Sequence, residues 1–377
     1  MNEYQTLMYT QLMDLVANNE AFYFQDFNLD GTTYRIFNYR LASYTEFQKP
    51  GAIECRGHMF EVAKGPFGEI PVRFAALPMP KFFNLNENPF TMGLDLAQVD
   101  TIELKADGSL MSTYTHNNQL RLKSKGSLFS EQAIDAMKWL ETAPQLNQRL
   151  RLLDDAGWTV NMEWCAPHNR IVIGYETAHL KVLNARHRET GNYLSRDTLE
   201  DVCGRHNVID RVDTKGLDVA AFVQSIPGMQ DDIEGYVARI GDLWFKVKTE
   251  RYLSLHHAKD SVNNPRRLFE AILDEDVDDL RSMFYTDAVA MKMIDDMQDR
   301  VDHLYNHMVK VVEAFYDANK HLERKDYALK GQAELDRLYF GLAMTKYLEK
   351  PVEYKKFLKS KYKEFGIRDT QQETVGE

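Results

Sequence analysis

Lys105-Ala106-Asp107-Gly108-Ser109 is the stretch on which the reading of this chain turns. Ile102 and Leu104 alternate into it, so a strand carries Lys105 to an Asp-Gly turn. Alone, a lysine beside such a turn is ordinarily a solvated loop. Its company changes that. Glu54-Cys55-Arg56-Gly57 and Lys81-Phe82-Phe83-Asn84 lie upstream, and Asn161-Met162-Glu163-Trp164, Ile233-Glu234-Gly235-Tyr236-Val237-Ala238 and Phe245-Lys246-Val247-Lys248 lie downstream.

A lysine amine attacks phosphorus only when neutral, and its unperturbed pKa of about 10.4 leaves little neutral amine at pH 7. Neighbouring cations or a metal lower that value. Lys246 and Lys248 alternate with Phe245 and Val247, so they share one strand face. Beside Lys105 they would depress its pKa and neutralise an α-phosphate in the transition state; on a sheet edge they would merely oppose aggregation. Glu163 and Glu234 sit among apolar and aromatic strand residues, where a carboxylate needs a metal, a lysine or a ribose hydroxyl. Gly108 and Gly235 would let backbone approach a ligand closely. A two-residue turn at Gly241-Asp242 pairs Lys246 with Val237 and puts Glu234 on the opposite face, so an irregularity is expected in this hairpin.

Composition bounds the class of protein. The chain has 377 residues, enough for two domains, and a formal net charge of −11, which argues against coating nucleic acid by bulk attraction while leaving room for a local basic groove. Cys55, Cys165 and Cys203 are odd in number and widely spaced, as reduced thiols are. No run reaches the length of a membrane span, and the N-terminus reads as an amphipathic helix rather than a signal peptide.

From about 30 to 255 the chain reads as strands with short helical interruptions. Leu110 to Thr115 and Leu120 to Lys125 flank a hairpin turn at Asn117-Asn118, a helix runs from Ser130 through Leu140, and strands follow at 159–163, 171–175 and 181–184. Beyond about 256 the period becomes helical. Met297, Val301, Leu304, Met308, Val311 and Phe315 mark the core face of a helix over about 287–320, with two more helices near 326–348 and 351–364. The last interleaves Lys355, Lys356, Lys359, Lys361 and Lys363 with Tyr354, Phe357, Tyr362 and Phe365, either an RNA grip or a solvated lysine face over an aromatic stripe. His303 and His307 lack the glutamate of a zincin and read as a surface pair. Neither a Walker loop nor a dinucleotide fingerprint is present.

The ordered motif set resembles the covalent nucleotidyltransferase superfamily of ATP-dependent ligases and capping enzymes. More narrowly, Tyr34-Arg35-Ile36-Phe37, KFFNLNENPF at 81–90, KSKGS at 123–127, Arg170-Ile171-Val172 and YLSLH at 252–256 resemble the RNA ligase 1 family of T-even bacteriophages, from about residue 30 to about 280. That resemblance implies an α+β architecture: a nucleotidyltransferase domain of antiparallel sheets with flanking helices over 1–255, then an all-helical domain over 256–377 that supplies RNA specificity. It implies Lys105 as nucleophile, and contacts to ATP from Tyr39, Arg56, Lys81, Phe83, Gly108, Lys125, Glu163, Glu234, Lys246 and Lys248. Glu61, Lys123 and Tyr252 match further essential positions, and Glu163, Glu234, Asp278 and Asp279 match metal contacts. The implied cofactors are ATP and Mg2+, with Mn2+ as a substitute. The implied substrate is RNA, specifically tRNA nicked in its anticodon loop during infection, handled by a monomer in the cytoplasm, the host's if the chain is phage-encoded. A DNA ligase or capping enzyme is the alternative within the superfamily, but no OB-like strand run follows 235–248. A catalytically inert RNA-binding relative is the alternative outside it, against which stand the intact Lys105, Glu163, Glu234, Lys246 and Lys248.

Overall fold

Strand alternation before residue 256 and helical periodicity after it correspond to two compact units, Met1–His256 and His257–Glu377. The computed structural model describes residues 1–65, 68–169, 173–255, 262–285 and 287–367, with the backbone only at 254, 255 and 283.

The first unit opens with the helix Glu3–Asn18, started by a capping box between Asn2 and Gln5. Twelve named strands follow: β1 (Phe22–Leu29), β2 (Thr32–Tyr39), β3 (His58–Gly65), β4 (Gly68–Ala76), β5 (Phe83–Asn84), β6 (Thr101–Lys105), β7 (Ser109–His116), β8 (Gln119–Ser124), β9 (Trp158–Cys165), β10 (His179–His187), β11 (Gly235–Ile240) and β12 (Leu243–Lys248). They form three sheets, ordered β1-β2-β3-β4, β10-β9-β7-β8 and β5-β12-β11-β6. All pairings are antiparallel except the short parallel contact of β5 with β12. The β7–β8 hairpin turns at Asn117 and Asn118, both at positive φ, as a two-residue turn of this hand requires.

Each sheet is fixed by an apolar face. Met8, Leu12 and Leu15 of the first helix pack with Phe22, Phe37, Phe60 and Phe74. The helices Glu131–Glu141, Pro144–Asp155 and Arg196–Cys203 bury Leu140, Leu150 and Leu199 with Met111, Val160, Met162 and Val182 of the second sheet. Behind the third sheet, Ile102, Ala238, Phe245 and Val247 meet Val223 and Ile226. Because strand side chains alternate, that burial commits Lys105, Lys246 and Lys248 to the other face. The stretch expected as a strand at 171–175 is not one where it is described: Ile173–Tyr175 is irregular, and 171 and 172 lie outside the described residues.

The second unit is helical where described: Pro265–Leu273, Val277–Met283, Ala288–Asn319, Arg324–Glu334, Arg337–Tyr347 and Tyr354–Ser360. In the long helix Val301, Met308 and Phe315 are buried as the periodicity indicated, and Ile294 is buried with them, but Tyr305 and Val312 take core places expected of Leu304 and Val311, and Gln298 the place expected of Met297. Gln298 accepts a hydrogen bond from Arg281 at 2.7 Å, so a polar side chain holds a core position that hydropathy cannot reveal. The helix expected over 326–348 is two, parted where Leu335 is extended and Asp336 caps the next with a bond from the Leu338 N–H at 2.8 Å. The helix expected over 351–364 shortens to Tyr354–Ser360. Its lysines pair within their own unit, Lys355 with Glu275 at 2.6 Å, Lys356 with Glu353 at 3.1 Å and Lys359 with Asp274. His303 and His307 are exposed and stacked, as a surface pair.

Candidate active site

Register explains how residues far apart in sequence meet. Gly235 pairs with Lys105 on one side and Lys248 on the other, so both lysines stand in one row across β6, β11 and β12. Lys246 stands in the next row, with Val237, Glu103 and Asn84. The hairpin turns at Gly241-Asp242 with its register unbroken from Ile240–Leu243 to Gly235–Lys248, so the expected irregularity is absent. Gly235 itself resolves the parity problem. At φ +147 it adopts a conformation closed to L side chains, and a Cβ would lie 2.0 Å from the Val247 carbonyl oxygen. Glu234, one residue before the strand, is thereby freed from the alternation. Its carboxylate accepts from Lys105 Nζ at 2.8 Å and lies 3.0 Å from Lys248 Nζ. Burial opposes its charge, but the two lysines outweigh burial and hold its carboxyl below the ordinary range.

Glu163, on β9, faces this cluster without a hydrogen bond or ion pair to its carboxylate among the described residues. Burial pushes it up to about 7; Lys105 and Arg56 pull it down, while Glu234 and Asp107 push it further up. A lone carboxylate with raised pKa beside two others is a donor set for a hard divalent cation, of which protein usually supplies one or two ligands and a nucleotide's phosphates the rest. Glu163 and Glu234 fit that role. Asp278 and Asp279 lie in the first turn of a second-unit helix, and no cluster of three or more metal-binding side chains exists among the described residues.

The turn after Lys105 is held from several sides. Tyr252 Oη donates to Asp107 Oδ1 at 2.9 Å, and Lys248 Nζ lies 5.1 Å from the Tyr252 ring centroid. Tyr252 thus gains a physical role that the sequence left unstated. A Cβ on Gly108 would come within 2.3 Å of the Trp164 carbonyl oxygen, so its freedom serves close packing on β9. Lys123 is fully buried and its Nζ donates to the carbonyls of Gly57 at 2.8 Å and Ser124 at 2.9 Å. Burial, with Arg56 adding to it, lowers its pKa to about 7. It fixes the backbone just after Arg56.

Lys81 Nζ lies 5.2 Å, 5.7 Å and 5.8 Å from the rings of Phe83, Tyr39 and Phe47, and Lys125 Nζ lies 5.0 Å from Tyr39. Tyr39, Lys81 and Lys125 are therefore neighbours. The Phe83 ring is core, stacked on Phe90 at 5.3 Å, and supports Lys81 from beneath. Glu61 is engaged elsewhere, with Arg73 at 2.8 Å across β3 and β4. Two groups escaped the sequence reading. Asp107, inside the motif, is almost wholly buried and anchors the turn. Glu54 and Arg186 pair at 2.7 Å two residues before Arg56, a partnership between residues so distant in sequence that no local pattern announces it. Arg170, Ile171 and Val172, and His256 with His257, lie outside the described residues.

Residues 54–253 match the RNA ligase family model, and residues 259–367 match the C-terminal domain of T4 RNA ligase 1. The chain belongs to the T4 RNA ligase 1 family. Among relatives, a Thermovibrio ammonificans protein named an RNA ligase is 24% identical over 310 residues, covering 80% of this chain and 79% of that protein. A protein of Autographa californica nuclear polyhedrosis virus, named a bifunctional polynucleotide kinase/RNA ligase, is 24% identical over 268 residues, 64% of this chain but only 37% of the viral one. Among solved structures, an archaeal ATP-dependent RNA ligase aligns with a TM-score of 0.48 at 11% identity, over 82% of this chain and 80% of that one. A Naegleria gruberi RNA ligase bound to ATP and Mn aligns with a TM-score of 0.35 at 14% identity, over 64% and 94%. No described helix of this RNA ligase is long and apolar enough to cross a membrane.

Proposed function

We propose that this RNA ligase uses ATP and Lys105 to join an RNA 5′-phosphate to a 3′-hydroxyl. The observation that carries the reading is the row of Lys105 and Lys248 with the Glu234 carboxylate between their amines. In the first step the neutral Lys105 amine attacks the α-phosphate, the bond to the β-phosphate breaks, pyrophosphate leaves and a lysyl-AMP phosphoramidate forms. Lys246 and Lys248 offset the charge that gathers on the α-phosphate. In the second step the RNA 5′-phosphate takes the AMP and frees Lys105. In the third a 3′-hydroxyl attacks that activated phosphate and AMP departs.

Glu163 and Glu234 would hold magnesium, or manganese in its place, and the bound ion would add Lewis-acid stabilisation of phosphate charge. Arg56 serves as phosphate clamp, with Tyr39, Lys81 and Lys125 as further nucleotide contacts. The substrate we propose is tRNA cut in its anticodon loop, with a single copy of the chain acting in the cytoplasm and the helical unit choosing the RNA.

The test is incubation with α-labelled ATP and magnesium. The wild type takes an acid-labile label and Lys105→Ala takes none, though it stays folded by circular dichroism. A labelled Lys105→Ala protein, or an acid-stable label, would refute a phosphoramidate on this residue. Sealing of nicked tRNA, nicked duplex DNA and single-stranded RNA, compared side by side, then decides the substrate; preference for the DNA duplex would overturn the RNA assignment.

A further inference from the structure

Arg56 lies between the short 3-10 helix Ala52–Glu54 and β3, and the fold grips the residues on both sides of it. The Ile53 carbonyl accepts from the Lys81 N–H at 2.7 Å, and the Cys55 thiol donates to the Asn38 carbonyl at 3.2 Å. Gly57 donates to the Phe37 carbonyl at 2.8 Å while its own carbonyl accepts from Lys123. With Gly57 at φ +90, a Cβ there would lie 2.6 Å from the Lys125 carbonyl oxygen, so the turn packs tightly on that backbone as well. The Arg56 guanidinium is treated differently. It is rich in donors, yet among the described residues it makes one hydrogen bond, from Nη1 to the Met79 carbonyl at 3.4 Å.

The firmest hold is on Glu54. Arg186, on β10, donates to both of its oxygens, Nη1 to Oε2 and Nη2 to Oε1, each at 2.7 Å. His58 Nε2 lies 3.0 Å from the same Oε2. The Arg186 guanidinium also donates to the Pro78 carbonyl at 3.1 Å and to the Gly191 carbonyl at 3.0 Å. It thus ties together the two segments that Arg56 spans: Glu54 is two residues before Arg56, and Pro78 is one before Met79. Both members of the pair are largely shut off from water. Removing two charges from water costs about as much as their attraction returns, so such a pair is weak evidence of a role in stability. What a planar fork on a carboxylate does supply is a fixed distance and orientation.

We propose that Arg186 is a positioning residue for the first chemical step, setting Arg56 on the nucleotide's phosphates through its fork on Glu54 and its bond to Pro78. This inference rests on the proposed adenylylation of Lys105 with Arg56 as phosphate clamp. Arg186 acts on the nucleotide only through Arg56. A clamp displaced by about 1 Å loses on the order of 100-fold in rate. Lysine at position 186 keeps a positive charge beside Glu54 but supplies neither the fork nor the set of carbonyl bonds, so it should misplace the clamp without stranding the carboxylate.

The experiment is a double-mutant cycle on the full chain, read as the second-order rate constant for single-turnover lysyl-AMP formation from α-labelled ATP and magnesium. Arg186→Lys should lower that constant by about 10- to 100-fold in the wild-type background and by less than about threefold in Arg56→Ala, where no clamp is left to misplace. A merely structural role gives the same factor in both backgrounds; that result, or a normal rate for Arg186→Lys, overturns the proposal. A wild type that takes no label, or an Arg56→Ala chain as fast as wild type, refutes the underlying reading and the proposal with it, so the two failures are distinct. If Arg186→Lys does not fold, Glu54→Gln, which keeps the side chain's shape and removes one acceptor of the fork, enters the same cycle with the same expectations. If Arg56→Ala labels too slowly to follow, the ATP affinities of the same four chains carrying Lys105→Ala complete the cycle by titration calorimetry. The loss caused by Arg186→Lys should then disappear with Arg56, and an equal loss in both backgrounds, or none, overturns the proposal.

Discussion

Lys123 shows how much one buried amine reveals. Its two acceptors match the two hydrogens of a neutral amine, and the third hydrogen of an ammonium would have no partner among the described residues. Its pKa is lowered in the fold, so between about 7 and the ordinary lysine value the unfolded chain binds the extra proton and stability rises with pH. That slope is at most about 1.4 kcal/mol per pH unit. Lys123→Met removes it. Chemical denaturation at pH 7 and pH 9.5 should show the wild type gaining on the variant as pH rises, and parallel profiles would contradict a lowered pKa. Lys246 and Lys248 make a different case, because we assign them to phosphate charge. Replacing either with alanine should slow lysyl-AMP formation by about 100- to 1000-fold and leave RNA affinity nearly unchanged in a filter-binding measurement; normal labelling with weakened RNA binding would reverse the assignment.

At the scale of elements, the β11–β12 hairpin carries the geometry, and it was only partly legible. Alternation in Phe245-Lys246-Val247-Lys248 gave the lysine face, and Gly241-Asp242 gave the turn. What alternation could not give was the place of Glu234, because it assumes that every residue continues the pleat and Gly235 does not. Gly235→Ala puts a Cβ 2.0 Å from a backbone oxygen in a conformation strained for any L residue, and should destabilise the first unit by about 2 kcal/mol or more. Thermal melting checks this, and an unchanged midpoint would mean that the strand accepts another path. The helices after residue 256 tell the same story in another form. Their period was readable, but the break at Leu335-Asp336 and the buried Gln298 depend on a cap and a tertiary partner, which apolar spacing does not record.

On the scale of the whole molecule, the described site is assembled entirely from residues of Met1–His256. We predict that a chain ending near His256 still forms lysyl-AMP, at a rate within about tenfold of the full chain, while losing preference for nicked tRNA over simple oligonucleotides. A folded truncation that takes no label would show that the helical unit belongs to the chemistry. The motif residues and the change of period were visible in sequence because each depends on neighbours a few positions away. The set around Asp107 was hidden because Ile173, Tyr175 and Tyr252 reach it only after the sheets have formed.

The gap between Lys105 and Lys248 is not a bare positive hole. The Glu234 carboxylate lies between their amines, so the fold itself supplies an anion at the place where we propose that a phosphate binds. A phosphate that takes these two lysines as partners would therefore share or replace an anion already paired with them, rather than meet two unpaired charges. Specificity gains from this: a stray anion has to outbid a tethered carboxylate, and a nucleotide can do so because its base, sugar and remaining phosphates bring contacts of their own.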